Sequence, residues 1–115
     1  MSAPEYTSYA EFWPGYLRAH SKPLTRAVHY AGTALSIAFF GAALLTFDAT
    51  YLLAAVVTPY GFAWASHVLI QGNKPVSFQY PVWSMVSGVR MFSLWLSGGL
   101  PSELAKAGVA ADGLV

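Results

Sequence analysis

Two long uncharged runs dominate the hydropathy pattern of the chain. Ala27 to Phe47 holds no charged residue, and at about 1.5 Å per residue it is long enough to cross roughly 30 Å of hydrocarbon. Asp48, Ala49 and Thr50 interrupt the pattern, and Tyr51 to Ile70 is a second uncharged run of similar length. The pattern predicts two antiparallel transmembrane helices, 27–47 and 51–70, joined by a tight turn. Pro59 and Gly61 are expected to kink the second, which a membrane helix tolerates when a neighbour satisfies the freed carbonyl. Before the spans, Ser8-Tyr9-Ala10-Glu11 reads as a capping box, and Tyr9, Phe12, Trp13, Tyr16 and Leu17 fall on one helical stripe. Pro14 must bend that helix or delay its start. Residues 1–26 are therefore expected to form an interfacial aromatic helix and a loop broken at Ser21-Lys22-Pro23.

After the spans, Gln71-Gly72-Asn73-Lys74-Pro75 is a polar loop, and residues 80–100 form a third apolar segment interrupted by Arg90. That segment is open to three forms: a span, a re-entrant hairpin or an amphipathic surface helix. Residues 101–115 read as a loose tail. No repeat or internal boundary is visible, so the predicted fold class is all-α, a small integral membrane helical bundle forming one domain over 1–115.

Composition supports this. Of the 115 residues, 56% are hydrophobic, 16% aromatic and only 10% charged, against about a quarter charged in soluble domains. So short a chain cannot bury two long apolar runs in its own core, and lipid is the expected solvent. A net charge of +1 leaves no clustered basic face for nucleic acid. The absence of cysteine excludes disulfides, thiolate chemistry and cysteine-based metal sites. The first 26 residues lack the short apolar core of a cleaved signal, so the first run is expected to remain in the mature protein. Arg18, Lys22 and Arg26 precede the first span and Lys74 follows the second, whereas the turn between them carries only Asp48. The positive-inside rule places the N-terminus and the Asn73-Lys74 loop in the cytoplasm, the expected membrane being a bacterial inner membrane.

The three histidines, His20, His29 and His67, are the candidate chemistry. His29 lies about one turn inside the start of the first span and His67 about one turn before the end of the second. In an antiparallel pair those depths match. His20 ends the interfacial helix at the same face, and the short Ser21 to Thr25 connection keeps it near His29. Alone, each would read more simply as a capping or hydrogen-bonded residue of a helix end. Together they form a set suited to Fe, Zn, Cu or Ni, with open positions for water, O2 or substrate. Gln71, four residues after His67, would lie on the same helical face, orienting an imidazole or a metal-bound water, or simply capping the helix end. Asn73, Lys74 and Arg90 are candidates for binding an anionic carboxylate, Lys74 and Arg90 alternatively reaching lipid phosphate. No catalytic residue beyond the ligands is expected. The chain has no phosphate loop, no paired carboxylates and no Ser-His-Asp set, which removes hydrolase and kinase readings.

At these residues the chain resembles the Mpo1-like family, formerly a domain of unknown function numbered 962. The resemblance rests on Phe12-Trp13-Pro14-Gly15-Tyr16-Leu17-Arg18-Ala19-His20-Ser21, then Pro23, Arg26, His29 and Gly32-Thr33. It continues through Tyr60-Gly61-Phe62-Ala63-Trp64, His67 and Asn73-Lys74-Pro75 to Tyr80-Pro81, Trp83-Ser84 and Arg90-Met91. It implies an Fe(II)-dependent dioxygenase that shortens long-chain 2-hydroxy fatty acids by one carbon, with His20, His29 and His67 as iron ligands. By the same resemblance the carboxylate and 2-hydroxyl of the substrate meet the metal beside O2, and its chain lies among the apolar helices. Gln71 and Gly88 depart from short bacterial members, where Glu and Asp are common, and Asn is frequent where Lys22 and Thr25 stand.

A rival reading from another class is a non-catalytic membrane subunit packing against a larger complex. Gly32, Ala34, Gly41 and Ala42 would permit close helix approach for such a partner. Self-association into a homo-oligomer is also expected of so small a bundle.

Overall fold

Five helices follow one another along the chain: α1 (Tyr9–Ala19), α2 (Pro23–Thr46), α3 (Ala49–Ser66), α4 (Pro81–Ser97) and α5 (Leu100–Lys106). A π-helical turn, His67–Gln71, extends α3. The structure is a computed structural model and describes residues 5–75 and 78–109, among which there is no strand. The parts of the expected N-terminal segment, third apolar segment approach and tail that fall on 1–4, 76–77 and 110–115 lie outside the described residues.

The two apolar runs become the α2–α3 hairpin. Pro23 does not break the chain as its neighbours suggest; it occupies the first turn of α2, where its missing N–H costs nothing and its fixed φ suits the helix. The helix therefore starts earlier than its apolar run. Phe47, at φ 56, ends α2 in the left-handed region, and Asp48 caps α3 by accepting the Thr50 N–H at 2.9 Å. Pro23–Thr46 and Ala49–Gln71 are both long and apolar enough to cross a membrane, and only 22% of the most apolar window of each is buried. Leu45, Phe47 and Leu69 stand 85%, 94% and 80% exposed. Apolar surface on that scale is not what a soluble monomer presents to water.

Close packing inside the hairpin depends on two local matches. A Cβ at Gly32 would lie 2.8 Å from Phe62 Cβ, so the glycine lets α2 and α3 approach at that point. The Gly32 face is thereby filled from within the chain, whereas nothing approaches Gly41 within 4 Å. Pro59 cannot donate to the carbonyl one turn back, that of Ala55, and Ser36 Oγ of α2 donates to that oxygen instead. Ser36→Ala removes the donor that, among the described residues, replaces the missing N–H. A loss of about 1–3 kcal/mol is expected for a carbonyl left unpaired, read as a lowered midpoint of SDS-induced unfolding in mixed micelles. An unchanged midpoint would show that the hydroxyl contributes nothing.

The aromatic stripe of α1 forms as expected. Ser8 Oγ accepts the Glu11 N–H at 3.3 Å, while the Glu11 carboxylate turns outward to the Thr7 N–H at 3.1 Å and hydroxyl at 2.9 Å. Pro14 sits inside α1 without ending it; the carbonyl one turn back, to which it has no N–H to donate, belongs to exposed Ala10. What covers the stripe is protein. Phe12, Trp13, Tyr16 and Leu17 share one buried cluster with Met91 of α4 and Leu100 and Leu104 of α5.

The tail therefore departs from its expected looseness. Leu100 and Leu104 are 2% and 0% exposed, and Glu103 accepts the Trp13 Nε1–H at 2.9 Å. A seven-residue helix is too short to announce itself by periodicity, and its order comes from the apolar face that α1 offers.

The third apolar segment lies across the hairpin. Its N-terminal end is fixed by Tyr60 Oη donating to the Pro81 carbonyl at 3.0 Å, and its C-terminal part by Trp95 stacking on Tyr30 at 4.4 Å. Tyr60 and Tyr30 each stand within about 16 Å of the hairpin's open end. Both ends of α4 thus belong to the same half of the hairpin. Ser84, Ser87 and Met91 face inward, and Val82, Val86 and Leu96 outward.

Candidate metal centre

The open end of the hairpin brings His20, His29 and His67 together, as the depths of the two runs require. All three are buried, at 0%, 9% and 1% exposure, and their nearest ring nitrogens all lie within 4.8 Å of one another. His20 Nε2 stands 3.0 Å from His29 Nε2 and 2.9 Å from His67 Nε2.

Outer partners decide what those nitrogens carry. His20 Nδ1 lies 2.6 Å from the Tyr16 carbonyl, an acceptor only, so Nδ1 bears the proton. His67 Nδ1 lies 2.6 Å from Asn73 Oδ1. The Asn73 amide is itself oriented by Nδ2 donating to the Ala19 carbonyl at 3.2 Å, so His67 Nδ1 is also the protonated nitrogen. In the neutral rings both Nε2 atoms then carry bare lone pairs, pointed at each other at 2.9 Å. His29 can give a proton to one of them at most, and the other lone pair remains unmet. A Lewis acid satisfies all three at once. Two imidazole nitrogens about 2.1 Å from one ion and at right angles across it stand about 3.0 Å apart, which the two separations from His20 match. The residues present therefore fit a metal ion.

Burial, followed by the nearness of His29 and His67, holds His20 well below the usual histidine range. The ring is neutral at pH 7, the form that ligates. Tyr16 stacks on His20 at 4.1 Å, and burial pushes its phenol above the usual tyrosine range, so it stays protonated.

The π-helical turn distributes the remaining polar residues. Gly72, at φ 77, accepts a conformation that other residues resist, and both the Gly72 and Asn73 N–H groups donate to the His67 carbonyl, at 2.7 and 3.1 Å. The chain folds back so that Asn73, and not Gln71, meets the His67 ring. Gln71 instead joins the start of α2, where the Lys22 N-cap lacks a side-chain hydrogen bond of its own. Its Oε1 accepts from the Lys22 N–H at 3.1 Å and Thr25 Oγ1 at 2.8 Å, and its Nε2 donates to Ser21 Oγ at 2.7 Å. Positions 22, 25 and 71 thus meet at the Gln71 amide.

Arg26, absent from the sequence reading of the site, fixes the corner before α2. Its Nη1 donates to the carbonyls of His20 at 2.7 Å and Ser21 at 2.9 Å. A basic residue shortly after a helix C-terminus was the available signal.

Arg90 and Lys74 stand away from the histidines. The Arg90 guanidinium lies 4.1 Å from the Trp13 ring and 3.7 Å from Glu103 Oε1, tying α4 to α1 and α5. The Trp13 hydrogen bond, then that of Lys106, holds the Glu103 carboxyl below its ordinary value. Lys74 is exposed.

The histidines form one end of a cavity of about 360 Å³. From there it runs past Thr33 and Ser84 to Ile37, Phe40, Leu52 and Val56, over about 16 Å of helix between His29 and Phe40. Its polar end holds the imidazoles; its far wall is apolar, and those four far residues are 46–55% exposed on the outer surface, so the cavity opens sideways where lipid would lie.

No curated protein and no solved structure matches the chain. The family model described as 2-hydroxy-palmitic acid dioxygenase Mpo1-like matches residues 6–100, the whole of the hairpin, the histidine centre and α4, and the chain belongs to the Mpo1-like family.

Proposed function

We propose that the protein is a membrane-embedded non-haem Fe(II) dioxygenase that shortens long-chain 2-hydroxy fatty acids by one carbon. The observation that carries this is the convergence of three imidazole nitrogens at the polar end of an apolar cavity open to the side of the hairpin. Iron, when bound, supplies the redox chemistry with O2 that no side chain here can provide.

The residues supply the rest. His20, His29 and His67 hold the ion and leave the cavity side for substrate. Asn73 and the Tyr16 carbonyl fix the tautomers of two of the rings. Ile37, Phe40, Leu52 and Val56 receive the acyl chain and exclude water from the polar end. The sum balances as 2-hydroxy acid plus O2 giving the acid one carbon shorter, CO2 and water, so no separate reductant is required.

Membrane insertion of α2 and α3 is supported by their length and outward apolar faces. The basic residues lie on α1, at the start of α2, just after the π-helical turn, or on α4 and α5, and none lies at the Phe47–Asp48 turn. The positive-inside rule thus turns the histidine end to the cytoplasm of a bacterial inner membrane, where a fatty acid carboxylate sits at headgroup depth beside the metal.

The test is turnover of 2-hydroxypalmitic acid by iron-loaded protein in detergent. The expected result is O2 consumption matched by a fatty acid one carbon shorter. Iron-loaded protein that consumes neither O2 nor the acid would overturn the activity, whatever its metal content.

A further inference from the structure

A site that must hold a carboxylate needs something to meet the oxygen that does not touch the metal. The cavity offers no lysine, arginine, aspartate or glutamate among its lining residues. A cation in that wall would also repel the metal ion from a centre built of neutral imidazoles. Neutral donors are the remaining choice.

Ser36 is committed to the Ala55 carbonyl. Ser84, on the inner face of α4, is 9% exposed, and its Oγ is fully buried without a hydrogen-bond partner. A buried hydroxyl without a partner is destabilising, so its presence on a cavity wall calls for a partner that the protein itself does not supply. Tyr16, 2% exposed, stacks its ring on His20 and has no hydrogen bond to its Oη among the described residues. A Cβ at Gly88 would lie 3.5 Å from that Oη, and Gly88 follows Ser84 by one helical turn on the same face of α4. Tyr16 and Ser84 therefore both line the cavity, from the opposite elements α1 and α4, and the Tyr16 ring lies against His20.

We propose that Tyr16 Oη and Ser84 Oγ form a neutral clamp for the substrate's polar head, donating hydrogen bonds to the oxygens of a carboxylate that bears an adjacent hydroxyl. The inference rests on the metal-centre reading and adds the recognition of the head group. Both are positioning residues, and neither is needed to hold the ion. The clamp selects acids whose two neighbouring oxygen functions can face metal and hydroxyls together, and it assigns no role in recognition to Arg90 or Lys74.

The test uses the intact protein in detergent, loaded anaerobically with Co(II) as a spectroscopic stand-in, and titrated with 2-hydroxypalmitic acid and, separately, with palmitic acid. Tyr16→Phe keeps the ring that stacks on His20, and Ser84→Ala removes a single oxygen. Each variant is expected to keep its metal while its Kd for the 2-hydroxy acid rises about tenfold, equivalent to about 1.4 kcal/mol. Discrimination against palmitic acid should narrow in both. Metal-replete variants that bind the 2-hydroxy acid as tightly as wild type would overturn the clamp and leave the metal centre standing. Wild-type protein that takes up no metal would overturn the metal-centre reading and the clamp with it, whereas wild-type protein that takes up metal yet shows no spectral response to the acid would overturn the clamp alone.

Discussion

His20→Ala is expected to lose bound metal and turnover together while keeping its helical circular dichroism. Of the three ligands, His20 is the one whose Nε2 lies within 3.0 Å of both others, so its removal leaves two imidazoles on the hairpin and no third donor from α1. The loss should exceed the tenfold to hundredfold that follows removal of an outer partner. The fold should survive, because α1 is anchored by Phe12, Trp13 and Leu17 against α4 and α5 and not by the residue that follows it. Metal content of anaerobically loaded protein, read beside the far-ultraviolet spectrum, checks both halves. A variant that retains its metal would remove His20 from the ligand set.

Asn73→Ala is expected to weaken metal affinity by about tenfold to hundredfold without abolishing it. The Asn73 amide joins two parts of the centre: its Oδ1 accepts from His67 Nδ1 at 2.6 Å, and its Nδ2 donates to the Ala19 carbonyl at 3.2 Å. Without it the His67 ring is free to turn or to move its proton to Nε2, where it would block ligation. Asn73→Asp offers the same acceptor to His67 and should restore much of the affinity, although it gives up the tie to Ala19. Competition with a chelator measures the two variants against wild type. Equal affinity in all three would show that the tautomer of His67 is fixed elsewhere.

The hairpin and the histidine centre were legible in the sequence because both follow from helix rise and bilayer thickness. Two uncharged runs with one histidine near the open end of each can place those rings at a single level without any knowledge of packing. The neighbours of the centre were not legible in that way. A regular helix carries Gln71 to the face of His67, and the sequence reading gave Gln71 that place and Asn73 a place beside a substrate carboxylate. The π-helical turn adds a residue to the register, and Gly72 reverses the chain, so Asn73 reaches the ring and Gln71 reaches Ser21, Lys22 and Thr25. A glycine between them was the only sign.

Arg90 shows a second kind of gap. A guanidinium inside an apolar segment reads as a functional group when its partners are unknown. Its partners are Trp13, seventy-odd residues earlier, and Glu103, in a helix too short to be recognised from periodicity. Ser36 and Pro59 are a third case: each is readable alone, but only the pairing of α2 with α3 shows that the hydroxyl serves the carbonyl the proline leaves unpaired. Tyr16 was placed correctly on the apolar stripe of α1, yet only the packing of α1 on α4 shows that its hydroxyl lies beside Gly88.

The central claim is that three imidazoles hold one iron ion, and elemental analysis of anaerobically purified, iron-loaded protein beside His67→Ala tests it most directly. The account predicts about one iron per wild-type chain, and loss of that iron in the variant. No iron in wild type after loading, or full occupancy in His67→Ala, would contradict it.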